Sequence, residues 1–208
     1  MSTVPGKKCR LPDWDEMYRL GTPPWDTGRP SPELVRAAEE GLVSPCPTLE
    51  IGCGTGANAV YLSRKRFDIT AIDSSALAIE RARLRCEQAG ALVRFVLADI
   101  FEFAKKGSRF DFVFDAGFYH FIRQADLERF LDTLWWVTQP GSHYLTIAGA
   151  PGETAEGGPP QVSEEEIRAE LGRLFEIIYL RPCRLESPIR EEGYRGWACL
   201  MRRPMMGK

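Results

Sequence analysis

The chain predicts an α/β fold: an open, doubly wound, mostly parallel sheet of seven strands with an antiparallel C-terminal edge, behind an N-terminal helical lid. Three observations carry this expectation. Five apolar, strand-like runs alternate with helix-like runs between Thr48 and Ala148, the rhythm of a parallel sheet covered by helices on both faces. The first run stops at clustered glycines, Gly52-Cys53-Gly54-Thr55-Gly56, directly before a helix-like stretch. Such glycines permit a tight turn and close approach of the backbone to a ligand, and the helix N-terminus offers free N–H groups to its polar atoms. After the fifth strand the rhythm breaks into a Gly/Pro-rich loop, one helix and two strand-like segments.

Each element has a local reason. Residues 14–20 form a short helix before the turn-rich run Gly21-Thr22-Pro23-Pro24-Trp25-Asp26-Thr27-Gly28-Arg29-Pro30. Ser31 stands at an N-cap position with Pro32 at the first helical position, opening a helix to about Glu40. Strands are expected at 48–52, 68–72, 93–98, 110–115 and 143–148. Helices are expected between them at 57–65, 76–89, 100–105 and 125–137, with Pro140-Gly141 ending the unit. Ser163-Glu164-Glu165-Glu166 reads as a helix start with acids in its first turn. The segments 174–181 and 196–202, separated by a polar stretch, pair as the antiparallel edge. Residues 1–12 and 204–208 read as frayed termini.

A chain of 208 residues suits one domain: a lid and helix over 1–45, a cofactor-binding core over 46–150, and an acceptor loop with closing strands over 151–208. A net charge of −2 supplies no general basic field, so nothing points to nucleic acid or an anionic membrane surface. No apolar run reaches the roughly 18 residues of a membrane span, and residues 1–10 lack the apolar core of a secretory leader. The expectation is a cytoplasmic monomer or weak dimer acting on a small molecule. The six cysteines, Cys9, Cys46, Cys53, Cys86, Cys183 and Cys199, form no Cys-x-x-Cys pair; they read as reduced thiols, and no metal site is expected.

Two cofactors compete for the glycine turn. Gly52-x-Gly54-x-x-Ala57 satisfies a dinucleotide fingerprint, and Asp73 lies where a ribose-binding acid is expected. A carboxylate there indicates an adenosine, not a particular cofactor. Three features favour S-adenosylmethionine. Glu50 and Gly56 make the spacing Glu-x-Gly-x-Gly-x-Gly. Asp99 ends the third strand, placed to accept a hydrogen bond from an adenine amino group. No second glycine fingerprint or hydride-transfer acid/base set accompanies them.

On these ordered motifs the stretch from Thr48 to Ala148 resembles the class I S-adenosylmethionine-dependent methyltransferases, whose sheet is Rossmann-like. The resemblance implies that the Gly52, Gly54 and Gly56 turn, with Glu50, holds the methionine part of the cofactor. It implies that Asp73 and Ser74 take the ribose, Asp99 and Ile100 the adenine, and that Asp115 lines the methyl-transfer site. For Asp73, an N-cap of the following helix is the rival reading.

The lid run resembles the thiopurine methyltransferase-like group, in particular the thiol/halide branch with its Pro-Trp-Asp-x-Gly-Arg pattern, and Glu156-Gly157-Gly158-Pro159-Pro160 is similar to that branch's loop. The branch transfers methyl groups to small soft nucleophiles. The resemblance implies that Trp25 covers the sulfonium and the methyl-transfer pocket, and that Arg29 draws in an anion or binds the cofactor carboxylate. Phe118 and Tyr119 form the acceptor wall; His120 is either a packed residue or a general base. Gln161 stands near the acceptor where the branch carries an aromatic residue, which turns the expectation from inorganic anions toward a larger thiol or another small polar acceptor. Alternatives are an oxygen or nitrogen methyltransferase, which needs His120 or an acid as base, and a non-catalytic S-adenosylmethionine-binding regulator.

Overall fold

A computed structural model describes residues 12–21, 23–152 and 158–205. The elements run α1 (Trp14–Arg19), α2 (Pro32–Glu39), β1 (Pro47–Ile51), α3 (Ala57–Arg64), β2 (Asp68–Asp73), α4 (Ala76–Gln88), β3 (Arg94–Leu97), α5 (Ile100–Ala104), β4 (Phe110–Ala116), α6 (Tyr119–Val137), β5 (Thr138–Gly149), α7 (Glu164–Leu171), β6 (Glu176–Ser187) and β7 (Arg190–Arg202). The strands form one seven-stranded sheet in the order β3-β2-β1-β4-β5-β7-β6. β1 to β5 pair in parallel, and β7 runs antiparallel to both β5 and β6. The chain reverses its direction of growth between β1 and β4, the place where doubly wound sheets open a crevice at the carboxyl ends of their strands.

Apolar side chains on the two faces of the sheet make two cores. One gathers Leu49, Val113, Tyr144 and Met201 against α6 and α7 through Phe130, Leu134 and Ile167. The other gathers Ile69, Phe112, Leu145 and Leu200 against α2, α3 and α4 through Leu34, Leu62 and Ile79. Helix starts follow side-chain chemistry. The Oγ of Ser75 accepts from the backbone N–H of Ala78 (3.1 Å), and Ser163 and Glu166 form a reciprocal capping box. Ser31 does not cap α2 with its side chain.

The second half departs from the sequence expectation in three places. α6 begins at Tyr119, well before residue 125, and breaks at Asp126 (φ −160°, ψ 79°). The Asp126 carboxylate accepts from the N–H of Arg129 (3.3 Å), re-capping the helix after the break. β5 starts at Thr138 and absorbs Pro140-Gly141, because the register shift opposite Phe110 and Phe112 of β4 leaves the extra residues on β5, between Thr138 and His143. β6 and β7 form one long hairpin through Ser187↔Arg190, so the polar stretch between the two expected strands is itself paired. Exposure of one face there removes the apolar pattern by which a strand is recognised. The loop segment 153–157 and both terminal runs assigned as frayed, apart from residues 12, 204 and 205, lie outside the described residues. Among the described residues no helix is long and apolar enough to cross a membrane, and no cluster of metal-ligating side chains occurs.

Candidate active site

A cavity of about 390 Å³ lies at the carboxyl ends of the central strands, bordered by Ile51 and Gly52 after β1, Asp73 and Ser74 after β2, and Asp99 and Ile100 after β3. Its floor is built by the glycine turn. Gly52 sits at φ +67°, and a Cβ there would come within 3.2 Å of the Phe118 ring, which also borders the cavity. The Asp73 carboxylate accepts from the backbone N–H of Gly54 and of Ser75 (both 2.9 Å). Desolvation raises its pKa, partly offset by these bonds. Ser75, not Asp73, caps α4, and this leaves Asp73 beside the cavity rather than committed to the helix. Asp99 does both: it borders the cavity and accepts from the N–H groups of Phe101 (2.8 Å) and Glu102 (3.3 Å) at the start of α5.

Comparison with known proteins matches this architecture. A methyltransferase-domain family model covers residues 48–141. The 2-heptyl-1-hydroxyquinolin-4(1H)-one methyltransferase of Mycobacteroides abscessus is 29% identical over 168 residues, spanning 78% of this chain and 73% of that protein. Probable thiol methyltransferase 2 of Arabidopsis thaliana is 28% identical over 171 residues, spanning 79% and 74%. Residues 48–141 thus carry a methyltransferase domain, for which S-adenosylmethionine is the cofactor. The fold is shared with a structure solved in work on conversion of a disulfide bond into a thioacetal group during echinomycin biosynthesis, at TM-score 0.80, 24% identity and 93% coverage of both chains.

The methyltransferase's cofactor fits the residues on this floor. A nucleoside with vicinal hydroxyls needs an acceptor at the end of β2, and the cavity-facing Asp73 supplies one. A backbone ledge without side chain is needed beside it, and Gly52 supplies that. The other two glycines do not border the cavity, and side chains of the protein fill the space beside each. Gly54 is closed off by the Tyr18 hydroxyl, 2.9 Å from where its Cβ would stand, and Gly56, at φ +80°, packs its Cα face against Ala82 and Phe95 of neighbouring elements. Glu50 also lies beneath the cavity rather than on it. It is buried, its Oε1 accepts from the Asn58 side-chain amide (3.0 Å), and its Oε2 meets no hydrogen-bond partner among the described residues. Desolvation pushes its pKa up to about 8. Asn58 borders the cavity and its Oδ1 accepts from the N–H of Ser31 (2.7 Å), so one amide joins the buried acid to the end of the lid.

Three expected site residues do not border the cavity. Asp115 does not reach the cavity: it is fully buried and accepts from the N–H of Phe118 (2.9 Å), the N–H of Tyr119 (3.0 Å) and the Tyr144 hydroxyl (2.6 Å). The two N–H groups start α6 and share Oδ1, and the Tyr144 hydroxyl of β5 occupies Oδ2. Tyr119 turns into the core, where its hydroxyl donates to Glu170 (2.6 Å) beside Arg123. The cavity wall is instead made by its neighbours Phe118, His120, Phe121 and Ile122. Gln161 forms an isolated bridge with Gly149, and the loop contributes Gly158 and Pro159 to the cavity in its place.

The roof contains more than the sequence disclosed. Trp25 borders the cavity, and its Nε1 donates to the Tyr18 hydroxyl (3.2 Å). Trp14 meets Trp25 edge-on at 5.6 Å and Phe121 at 5.1 Å, closing an aromatic arch. The i, i+4 spacing of Trp14 and Tyr18 on one short helix was the available signal. The lid is tied down by Arg81, which donates to the carbonyl of Tyr18 (2.8 Å), and by Arg85, which donates to the carbonyls of Gly28 and Thr55 (both 2.9 Å). On the other side the Ser187 hydroxyl donates to the carbonyl of Pro24 (2.7 Å). Arg29 stands at the rim, 3.4 Å from Glu186 and mostly exposed. The hairpin thus brings Arg184, Leu185 and Tyr194 to the cavity, residues that no local motif marks.

Proposed function

We propose that this methyltransferase alkylates the sulfur of a small apolar or aromatic thiol that enters as its thiolate. The observation that carries the reading is the state of His120, the histidine at the acceptor end. Its Nδ1 accepts from the backbone N–H of Gly149 (2.9 Å), and burial pushes its pKa down to about 3. A ring whose accepting nitrogen is already bonded, and whose charged form is suppressed, is a poor general base. An acceptor that needs no base suits this site: a free thiol has a pKa near 8.5, so it is partly ionised at neutral pH. The thiol methyltransferase relative in Arabidopsis supports sulfur as the target.

When bound, S-adenosylmethionine supplies an electrophilic methyl group on a sulfonium cation. Asp73 with Ser74 is assigned the ribose, Asp99 with Ile100 the adenine, and Gly52 the methionine portion. Trp25 and the arch exclude water and hold the acceptor in line, and desolvation leaves a soft anion more reactive. Arg29 adds a positive charge at the rim, screened by its exposure. A second reading, an acidic N-hydroxy heteroaromatic as acceptor, is favoured by the hydroxyquinolone-directed relative; it too arrives ionised.

The test is a methyl-transfer assay across thiophenols, alkyl thiols, hydrosulfide, thiocyanate, iodide, phenols and an N-hydroxyquinolone. Thiophenols should turn over fastest. Turnover of phenols alone would overturn the reading, and turnover of the N-hydroxyquinolone alone would replace it with the second.

A further inference from the structure

His120 is held in a way that defines what it offers to a bound molecule. Its Nδ1 is committed as acceptor to the N–H of Gly149, at the end of β5. In a neutral imidazole one nitrogen accepts and the other carries the proton, so the proton sits on Nε2. That edge of the ring lies against Gly117: a Cβ at Gly117 would stand 3.6 Å from Cε1 and 3.7 Å from Nε2. Gly117 and His120 both border the cavity, and no hydrogen-bond acceptor among the described residues takes the Nε2–H. The ring is fixed on its other face by Phe121, edge-on at 4.8 Å. His120 is only 2% exposed, so a hydrogen bond formed there is shielded from water.

We infer that His120 is a specificity-determining donor: its backbone-fixed Nε2–H holds the anionic atom of the methyl acceptor, selecting ionised acceptors without removing a proton from them. This deepens the proposed thiolate reading and rests on it. The assignment accounts for three features together: the Gly149 bond sets the tautomer, Gly117 leaves the Nε2 edge uncovered, and the aromatic packing fixes the angle. Suppression of the imidazolium by burial keeps the group a neutral donor, one that orients an anion without neutralising it in an ion pair.

Two substitutions separate this role from a structural one. His120→Asn retains an oxygen where Nδ1 meets Gly149 N–H but does not reach as far as Nε2; His120→Gln retains a donor near the Nε2 position. The binding arm uses the complex with S-adenosylhomocysteine titrated with 4-nitrothiophenolate, followed by its absorbance and by the ¹⁵N-edited signal of the His120 Nε2–H. The turnover arm uses S-adenosylmethionine with 4-nitrothiophenol, fully ionised at pH 8, and with an alkyl thiol. For His120→Asn, 4-nitrothiophenolate binding should weaken and transfer should slow by about 10–100-fold, the value of a hydrogen bond to a charged group. Affinity for S-adenosylhomocysteine and the melting temperature should stay near wild type, and His120→Gln should recover part of the loss. A wild-type Nε2–H signal should shift when the anion binds.

Equal anion binding by wild type and His120→Asn would overturn the assignment. A defect seen with the alkyl thiol and absent with 4-nitrothiophenol would make His120 a base, and would also overturn it. Failure of the wild type to methylate any thiol would sink the thiolate reading, while the anion-binding arm would still decide the role of His120.

Discussion

Replacing Gly56 by alanine tests whether the third glycine of the turn serves the cofactor or the fold. Gly56 is the N-cap of α3 in the left-handed region at φ +80°, a conformation that costs an L-residue about 1–2 kcal/mol. The added Cβ would stand 2.9 Å from the Ala82 Cβ, 3.1 Å from the Phe95 ring and 3.2 Å from the Ala82 Cα. Backbone atoms of α4 cannot yield as a flexible side chain can, and forcing a methyl into such packing costs about 1–3 kcal/mol. The sum is about 2–5 kcal/mol, a large share of the 5–15 kcal/mol that holds a typical domain. In a chain of this size that corresponds to a fall of roughly 4–20 °C in melting temperature. Calorimetric melting and urea unfolding measure the loss. Titration with S-adenosylhomocysteine at a temperature where the variant is folded measures affinity, which should change less than threefold. Adding Ala82→Gly should show a favourable coupling of about 1 kcal/mol in a double-mutant cycle, since it removes the crowding partner. An unchanged melting temperature with strongly weakened S-adenosylhomocysteine binding would refute the packing argument and return Gly56 to the ligand site.

Glu50 makes stability depend on pH. Burial pushes its folded pKa up to about 8, above the 4.5 of a free glutamate, so between those values the native state binds more protons than the unfolded one; ligand-free stability should fall as pH rises from about 5 to 8, by up to about 1.4 kcal/mol per pH unit from this group. Glu50→Gln should flatten that slope in urea unfolding, and an identical slope would remove Glu50 as its source. Asp73→Asn should weaken S-adenosylhomocysteine binding by about 10–100-fold through loss of a charged acceptor, read by calorimetry; an unchanged affinity would take Asp73 out of the site. Trp25→Ala should slow thiol methylation by about 10–100-fold because the acceptor is no longer held in line. Its melting temperature should fall by only a few degrees, since Trp25 remains 38% exposed; full activity would end the assignment of the arch to the reaction.

The parallel core and the edge of the cofactor ledge were legible in the sequence because they rest on local chemistry. Apolar runs that end in Gly52, Asp73 and Asp99 place a turn, a carboxylate and a helix start at successive strand ends, whatever the rest of the chain does. Trp25 and Arg29 stood out for a related reason, within a run of Pro and Gly too distinctive for an ordinary connection. The direction in which each side chain looks was decided by contacts far along the chain. Asp115 and Asp73 both close strands and both accept backbone N–H groups, yet Asp115 is buried under the start of α6 and Tyr144, while Asp73 borders the cavity. Tyr119 and His120 are adjacent; Glu170 draws one into the core, while Gly149 engages Nδ1 of the other, which borders the cavity. Arg184, Leu185 and Tyr194 enter the site only because β6 and β7 pair through to their shared turn. Periodicity and capping are written within a few residues of chain, so the elements could be read from it. Donor competition and hairpin reach join residues tens of positions apart, and only the packed molecule sets them.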